Sequence, residues 1–216
     1  MDIRVINQSI INIAIRRITK IFADFKVYGK ANALKLKKEK NFLLMVNHHS
    51  RLDPFVAGSV LPLREVLSYC PFYFMTHEKY MVRPIIGPIL RSFGSYQVSP
   101  KSGTIGEVLK STEELITQGK NIMIFPEGRL ILDEKKRQAR PGIAYLARKY
   151  PDLKILPINL AGTGDISPLR FFLFRNKIRA YIGKSFSFND YRDSWKLLDD
   201  RELAQAIMAQ VWNLVK

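Results

Sequence analysis

The sequence contains only one cysteine and three histidines among its 216 residues. Because Cys70 has no second cysteine, an internal disulfide is excluded, and we expect a reducing, cytoplasmic setting. His48 and His49 would point to opposite sides of an extended chain, so we predict no metal site. Cys70 could serve as a nucleophile, but no paired histidine stands close to it in sequence. We therefore predict that Cys70 is a small buried residue.

Long apolar runs are also lacking. No segment has the 18 or so uninterrupted apolar residues that a membrane span requires. The nearest candidate, residues 81 to 98, is interrupted by Arg83, Pro84 and Arg91. The first residues do not form a signal peptide, because basic residues interrupt the apolar positions and no small-residue cleavage site follows. We therefore expect a protein that does not span a membrane.

Acidic residues are scarce. The chain has 19 Asp and Glu against 35 Lys and Arg, which gives a formal net charge of +16. A field of this sign favours a polyanionic partner, either anionic lipid or nucleic acid. The excess is concentrated at the start of the chain, where residues 1 to 40 hold ten basic and three acidic side chains.

The first 23 residues predict an amphipathic helix. At 100° per residue, one broad face is apolar: Ile3, Ile6, Ile10, Ile11, Ile13, Ile15, Ile18 and Phe22. The opposite face is polar: Gln8, Ser9, Asn12, Arg16, Thr19 and Lys20. We predict that this helix lies in a membrane interface, with its apolar side among acyl chains and its cations near headgroups. A helix docked on the protein's own core would have the same pattern, so that alternative remains open.

Residues 24 to 216 predict a single α/β domain, because apolar runs alternate with helical segments. We expect a mostly parallel or mixed central sheet flanked by helices. The predicted strands are residues 42 to 46, 121 to 125, 154 to 160 and, near an edge, 177 to 187. The predicted helices are residues 78 to 93, 102 to 119, 140 to 149 and 199 to 215. Residues 171 to 174, rich in Phe, form either a second membrane-facing patch or a packed loop.

A first polar motif follows the predicted strand at residues 42 to 46. It reads Asn-His-His-Ser-Arg-Leu-Asp and places His48 and Asp53 on one turn. Pro54 follows, so we predict a helix with Asp53 at its N-cap and Pro54 at its first position. From that cap, the carboxylate could hold one ring nitrogen of His48, so that the other nitrogen accepts a proton as a general base. The alternative is that Asp53 only caps the helix.

A second motif, Phe-Pro-Glu-Gly-Arg at residues 125 to 129, follows another predicted buried strand. Pro126 and Gly128 break the strand into a loop that carries charge. Glu127 and Arg129 therefore stand at the end of a parallel strand, where α/β folds bind ligands. The alternative is a surface turn with a local charge pair.

In this order and spacing, the two motifs resemble those of the glycerolipid acyltransferase family, of the lysophosphatidic acid acyltransferase type. That family carries an Asn-His-x4-Asp block and a Phe-Pro-Glu-Gly block, which correspond here to residues 47 to 53 and 125 to 128. Residues 156 to 158, Leu-Pro-Ile, match the block that closes the family pattern. The resemblance covers roughly residues 25 to 185.

The resemblance implies transfer of a fatty acyl group from a thioester to a lipid hydroxyl, in membrane phospholipid biosynthesis. His48 would be the general base and Asp53 would orient its ring, with no acyl-enzyme intermediate. A backbone donor near Gly128 would contact the oxyanion, and Glu127 would bind the acceptor. No resident cofactor is implied, because the acyl thioester of coenzyme A or of acyl carrier protein is a co-substrate.

Two positions depart from the family pattern. The family carries an arginine where this chain has Pro100 and Lys101, and a threonine between Gly128 and Arg129. Both family arginines are associated with the acceptor phosphate. We therefore predict that the phosphate ligands are among five basic residues: Arg129, Lys79, Arg83, Lys101 and Arg140. Glu127 and Gly128 complete the predicted acceptor site.

The predicted partners are an acyl thioester donor, a lysophospholipid acceptor and an anionic membrane surface. Acyl carrier protein is a further candidate partner, and nucleic acid is not expected to bind. The protein would be peripheral or monotopic at the cytoplasmic face of the membrane. One alternative keeps the chemistry and changes the lyso-lipid acceptor. Another is a non-catalytic basic protein that binds membrane or nucleic acid. That second alternative leaves His48, Asp53 and Glu127 without a purpose.

Overall fold

The computed structural model describes residues 2 to 38, 41 to 61, 66 to 98, 103 to 131, 133 to 164 and 177 to 214. The helices are α1 (Ile3–Phe22), α2 (Lys30–Leu34), α3 (Asp53–Val60), α4 (Val66–Tyr69), α5 (Glu78–Met81), α6 (Ile86–Ser92), α7 (Ile105–Thr117), α8 (Gly142–Lys149), α9 (Arg192–Trp195) and α10 (Asp200–Trp212). The strands are β1 (Asp24–Tyr28), β2 (Phe42–Val46), β3 (Phe72–His77), β4 (Ser95–Val98), β5 (Asn121–Ile124), β6 (Lys154–Ala161) and β7 (Lys177–Ile182).

The strands form one mixed sheet in the order β1-β7-β6-β2-β5-β3-β4. The neighbours from β6 to β4 are parallel, whereas β7 pairs antiparallel with β6 and carries β1 parallel to itself. The predicted α/β fold with a mixed central sheet is therefore confirmed. The carboxyl ends of five parallel strands meet at one edge, which we call the carboxyl edge of the sheet.

Helices cover both faces of the central strands. Every residue of β2 is buried, as expected for a continuous apolar run in a parallel sheet. Alternate side chains enter separate cores. Leu44 packs in the core beneath α1 and α3, whereas Met45 packs in the core beneath α8 and α10. The predicted strand at residues 42 to 46 thus forms the centre of the molecule.

Several predicted helix boundaries were wrong. The helix expected over residues 78 to 93 is interrupted between α5 and α6, where Pro84 stands and cannot donate a backbone hydrogen bond. The helix expected from Ser102 begins at Ile105, because Thr104 and Glu107 form a capping box. Ser102 itself lies outside the described residues.

The sheet edge near the end of the chain also differs from expectation. The predicted strand over residues 177 to 187 ends at Ile182, and it is not an edge strand, because β1 pairs along its outer side. The register places Phe25 opposite Ile178 and Val27 opposite Ala180. The Phe-rich loop at residues 171 to 174 lies outside the described residues.

The N-terminal helix forms where it was predicted, but its polar side faces the protein. Gln8 is 7% exposed, whereas Ile10 on the other side is 62% exposed. The Gln8 side chain explains this orientation. Its amide accepts from the Phe72 N–H at 2.8 Å and donates to the carbonyl oxygens of Phe72 and Phe93, both at 2.7 Å. The buried amide thereby satisfies backbone groups at the start of β3 and the end of α6.

A glycine allows α1 to approach α3 closely. A Cβ atom on Gly58 would lie 2.7 Å from Oδ1 of Asn12, a second buried polar residue of α1. The helix is thus a packed part of the domain. Ile15 and Ile18 pack against the core, whereas four other isoleucines remain exposed: Ile3, Ile10, Ile13 and Ile21. Among the described residues, no helix is both long and apolar enough to cross a membrane.

The orientation of α1 predicts unequal effects of substitutions on its two sides. Gln8→Leu should lower the free energy of unfolding by about 1 to 3 kcal/mol, because buried backbone groups lose their partner. Ile10→Gln, on the exposed side, should change it by less than about 0.5 kcal/mol. Urea denaturation of the full chain measures both. Equal effects of the two substitutions would contradict the orientation.

Candidate active site

The first motif begins at the carboxyl edge, at the end of β2. Asn47 is buried there, and its side chain pairs with the backbone of β6. Its Nδ2 donates to the Leu160 carbonyl oxygen at 2.9 Å, and its Oδ1 accepts from the Leu160 N–H at 2.7 Å. This pair fixes the point at which the chain leaves the sheet, so that His48 stands at the edge.

Asp53 organises the loop that follows. Its carboxylate is 0% exposed, and Oδ2 accepts from the backbone N–H groups of His49 and Ser50, both at 2.6 Å. The same oxygen lies 3.2 Å from Nδ1 of His48. Within the part of the chain that the structure describes, Oδ1 has no hydrogen-bond partner. The loop is thus folded around a single carboxylate oxygen.

The contact between Asp53 and His48 matches the prediction, but the cap does not. Leu52 is the N-cap of α3, so Asp53 and Pro54 are the first two helical residues. A carboxylate in the first turn is stabilised by the helix dipole. Asp53 therefore faces backward into the loop from within the helix.

The geometry defines the proton positions on the His48 ring. A carboxylate can only accept, so the Nδ1 atom of neutral His48 is the donor and Nε2 carries the lone pair. The ring lies against Phe125, with ring centroids 4.4 Å apart, and its side chain keeps 20% of its surface exposed. Nε2 can therefore accept a proton from a molecule at the carboxyl edge.

The second motif holds the backbone of His48. Oε2 of Glu127 accepts from the His48 N–H at 2.7 Å, and the Ile131 N–H donates to the His48 carbonyl oxygen at 2.7 Å. Oε1 of Glu127 accepts from the indole N–H of Trp212 at 3.0 Å. Glu127 is fully buried. Its carboxylate is therefore turned inward between protein donors, whereas the sequence prediction places Glu127 in the acceptor site.

Gly128 closes the turn of the second motif. Its φ of +65° is a conformation that glycine adopts most easily, and a Cβ atom there would lie 3.2 Å from Cγ of Arg140. Its N–H donates to the Phe125 carbonyl oxygen at 2.9 Å. The N–H of Gly128 is therefore used within the turn.

Two of the predicted basic ligands stand beside this turn. Arg129 follows Gly128, and the N–H of Arg140 donates to the Pro126 carbonyl oxygen at 2.7 Å. Both side chains are exposed.

The other predicted basic ligands lie elsewhere. Lys79 and Arg83 follow β3, two strands away from β2, and both cations pack on the ring of Tyr80 at 5.0 and 5.8 Å. The structure does not bring either one to His48. Lys101 lies outside the described residues. Among the described residues, no group of three or more His, Cys, Asp or Glu side chains could hold a metal ion.

Cys70 lies before β3, at the sheet edge opposite His48. It is buried, and burial raises the pKa of its thiol to about 12. Because the thiolate is the reactive form, we expect the Cys70 thiol to react slowly at neutral pH. The prediction of a buried structural residue agrees with this environment.

The comparisons with known proteins identify the family. The sequence model of the Acyltransferase family matches residues 24 to 161, which include both motifs and six of the seven strands. The chain belongs to this family. The resemblance drawn from the motifs is therefore confirmed.

Two curated relatives carry a more specific name. A 1-acyl-sn-glycerol-3-phosphate acyltransferase of Chlamydomonas reinhardtii is 28% identical over 131 residues, which are 60% of this chain and 37% of that protein. The chloroplastic 1-acyl-sn-glycerol-3-phosphate acyltransferase LPAT1 of Arabidopsis thaliana is 28% identical over 160 residues, 70% of this chain and 42% of that protein. The matched part of the chain thus spans well under half the length of these relatives.

A solved structure shares the fold. It is that of the 1-acyl-sn-glycerophosphate acyltransferase PlsC from Thermotoga maritima, with a TM-score of 0.66 and 17% sequence identity. The match covers 97% of this chain and 77% of that one. At this identity the likeness concerns the fold alone.

Sequence reasoning missed two contacts of this site. The motif gives Asn47 no structural role. Its amide nevertheless joins the end of β2 to Leu160 on β6, 113 positions away in the sequence. The contact of Trp212 with Glu127 spans 85 positions, and no local spacing indicates it. Both contacts depend on how distant elements pack.

The environment of Cys70 predicts a slow reaction with thiol reagents. In the folded protein near pH 7, iodoacetamide should label Cys70 at least a hundredfold more slowly than in urea, because both burial and the raised pKa oppose attack. Mass spectrometry of the intact chain measures the rate. Fast labelling in the native state, accompanied by loss of activity, would contradict this assignment and make the thiol a candidate nucleophile.

Proposed function

We propose that this protein is an O-acyltransferase that moves a fatty acyl group from a thioester to the hydroxyl of a lysophospholipid. The observation that carries the proposal is the contact of 3.2 Å between His48 Nδ1 and Asp53 Oδ2, at the carboxyl edge of the sheet. This contact leaves Nε2 as a proton acceptor on the exposed side of the loop. Family membership and the second motif support the same chemistry.

The reaction needs one proton acceptor, and no acyl group becomes attached to the enzyme. Nε2 of His48 takes the proton of the acceptor hydroxyl as its oxygen attacks the thioester carbonyl carbon. A C–O bond forms, and collapse of the tetrahedral intermediate breaks the C–S bond. The leaving thiolate takes the proton from the imidazolium, so the products are an ester and a free thiol. Asp53 stabilises the imidazolium and keeps the ring oriented.

Lysophosphatidic acid is the proposed acceptor. Both curated relatives are named as enzymes that acylate 1-acyl-sn-glycerol-3-phosphate. Arg129 and Arg140 stand beside the second motif with exposed guanidinium groups, which can bind a phosphate through paired hydrogen bonds. We assign these two residues, rather than Lys79 and Arg83, as phosphate ligands.

The proposed acyl donor is acyl-coenzyme A or acyl-acyl carrier protein. Each presents a thioester on a phosphorylated carrier, and the net charge of +16 attracts such anions. The donor is consumed as a co-substrate, so His48 and Asp53 require no resident cofactor. The products would enter membrane phospholipid biosynthesis.

We further propose that the protein binds the cytoplasmic face of an anionic membrane through an apolar surface on α1 and α6. The two helices are neighbours, because Nδ2 of Asn7 donates to the Ser92 carbonyl oxygen at 3.1 Å. Their exposed apolar side chains define what we call the α1–α6 surface: Ile3, Ile10, Ile13 and Ile21, with Val82, Ile85, Ile86 and Ile89 around α6.

Charge and position support a lipid partner for the α1–α6 surface. Arg17 on α1, Arg91 on α6 and Arg83 before α6 are exposed, and they can contact anionic headgroups. Such a surface would place the acyl chain of a lyso-lipid close to the domain. The polar side of α1 remains buried in this arrangement, so only the exposed isoleucines of this helix enter the lipid.

The catalytic proposal predicts a specific loss of activity. His48→Ala should lower kcat about a hundredfold or more in an assay of acyl transfer to lysophosphatidic acid, because the general base is removed. Asp53→Asn should also lower it, since an amide cannot stabilise the imidazolium. His77→Ala is the matched control and should keep activity within about twofold.

The assay also separates the alternatives. Acyl-coenzyme A and acyl-acyl carrier protein are each tested with lysophosphatidic acid and with lyso-lipids that bear other headgroups. Transfer only to another headgroup would replace the proposed acceptor. A folded His48→Ala protein with normal activity, or a parent protein with no transfer but strong nucleic-acid binding, would contradict the proposal.

The membrane proposal predicts that the chain co-sediments with phosphatidylglycerol-containing vesicles and is only partly released by salt. Burial of each isoleucine contributes about 1.5 to 3 kcal/mol, so Ile10→Asp and Ile86→Asp should each weaken binding roughly tenfold or more. Leu197→Asp, at an exposed site between α9 and α10, is the matched control. Equal weakening by all three substitutions, or none, would contradict the α1–α6 surface.

A further inference from the structure

The carboxylate of Glu127 joins the first motif to the last helix of the chain. One oxygen accepts from the backbone N–H of His48 at 2.7 Å, and the other accepts from the indole N–H of Trp212 at 3.0 Å. Glu127 is fully buried between these donors. The three groups form a continuous hydrogen-bonded connection from α10 to the backbone of the proposed general base.

Burial makes both donors important for the position of the carboxylate. A carboxylate without water needs hydrogen-bond donors from the protein, and hydrogen bonds to a charged group are the stronger ones. If the indole N–H is removed, Oε1 of Glu127 loses its described partner in a site without solvent. The carboxylate should then shift toward other donors, and its contact with the His48 N–H should weaken.

Trp212 is held in place from several sides. It ends α10, whose inner side chains, including Ile207 and Val211, are fully buried against the sheet. Nδ2 of Asn159 on β6 donates to the Val211 carbonyl oxygen at 3.2 Å. The guanidinium of Arg137 lies 4.9 Å from the centre of the Trp212 ring. The indole N–H therefore has a defined direction.

The backbone of His48 determines where its ring stands. Its carbonyl oxygen accepts from the Ile131 N–H at 2.7 Å, so both backbone polar groups are bound by the second motif and the residues after it. A small rotation of this peptide would move Nε2 relative to the acceptor hydroxyl. Misplacement of a base by a fraction of an ångström lowers the rate of proton transfer more than it lowers substrate binding.

We propose that Trp212 is a positioning residue, which acts on His48 through Glu127. Trp212 lies beyond residue 161, where the match to the family model ends. The rate effect rests on the proposed acyl transfer, whereas the hydrogen-bonded connection can be measured without any substrate.

The first test compares two tryptophan substitutions. Trp212→Phe keeps an aromatic ring and removes the N–H, so kcat for acyl transfer should fall about tenfold, with KM for the acceptor changed by less than twofold. Trp195→Phe is the matched control, since Trp195 is buried in the same core and stacks on Tyr191 with ring centroids 4.4 Å apart. Its kcat should stay within twofold of the parent value.

The second test asks whether Trp212 acts through Glu127. Glu127→Gln removes the charge that links the two donors, so adding Trp212→Phe to it should cost less than threefold in kcat instead of tenfold. A full tenfold loss in that background would overturn the proposal. Normal kcat in Trp212→Phe, or an equal loss in Trp195→Phe, would overturn it as well.

A third measurement does not depend on activity. The backbone amide resonance of His48, assigned by NMR, should move upfield in proton shift when Trp212→Phe weakens its hydrogen bond, and it should not move in Trp195→Phe. An unmoved resonance overturns the connection even if activity falls. If the parent protein transfers no acyl group, the proposed function fails, and this shift alone decides whether Trp212 positions His48.

Discussion

One buried carboxylate, that of Asp53, organises the candidate site. Oδ2 receives two backbone N–H groups and the His48 ring, so the loop after β2 closes on this atom. Hydrogen bonds to a charged acceptor contribute more than neutral ones, and a buried donor left without its partner costs about 1 to 3 kcal/mol. Loop shape and ring orientation therefore depend on the same oxygen. A change at Asp53 alters both together.

The second motif supplies the other half of the constraint. Asp53 fixes the ring of His48, while Glu127 and Ile131 fix its backbone. This division of roles changes how the motif residues are understood. Glu127 accepts from the backbone of the proposed base, and the exposed Arg129 and Arg140 beside Gly128 are the proposed ligands of an anionic substrate. The carboxyl edge of the sheet thus has a rigid interior and a charged, accessible exterior.

The sequence predicts features that depend on neighbouring residues. The apolar run at residues 42 to 46 predicts the central strand, and the spacing of His48 and Asp53 predicts their contact, because both lie within one turn. The inward side of α1 could not be predicted in this way. Hydrophobic periodicity indicates a helix with two faces, but the partners of Gln8 are backbone groups at Phe72 and Phe93, distant in sequence. Those partners make the polar face the buried one.

Contacts between distant elements were the other features that local patterns did not reveal. In the sequence, Glu127 stands in a charged loop at a strand end. In the structure, the indole N–H of Trp212 on α10 donates to its carboxylate. The break between α5 and α6 is different, because Pro84 is a local signal that already argues against a continuous helix. The motifs identified the family, whereas the contacts of Glu127 with His48 and Trp212 are visible only in the packed structure.

The central claim is that Asp53 holds His48 with its proton on Nδ1 and its lone pair on Nε2. Long-range proton–nitrogen NMR of the full chain, labelled with ¹⁵N in histidine, reads the protonation of each ring nitrogen directly. Neutral His48 should have a protonated Nδ1 and a bare Nε2. His77, whose Nδ1 accepts from the Lys79 N–H at 3.2 Å, should have the opposite tautomer and serves as the internal reference. A protonated Nε2 on neutral His48 would contradict the account, because that nitrogen could not then accept the hydroxyl proton.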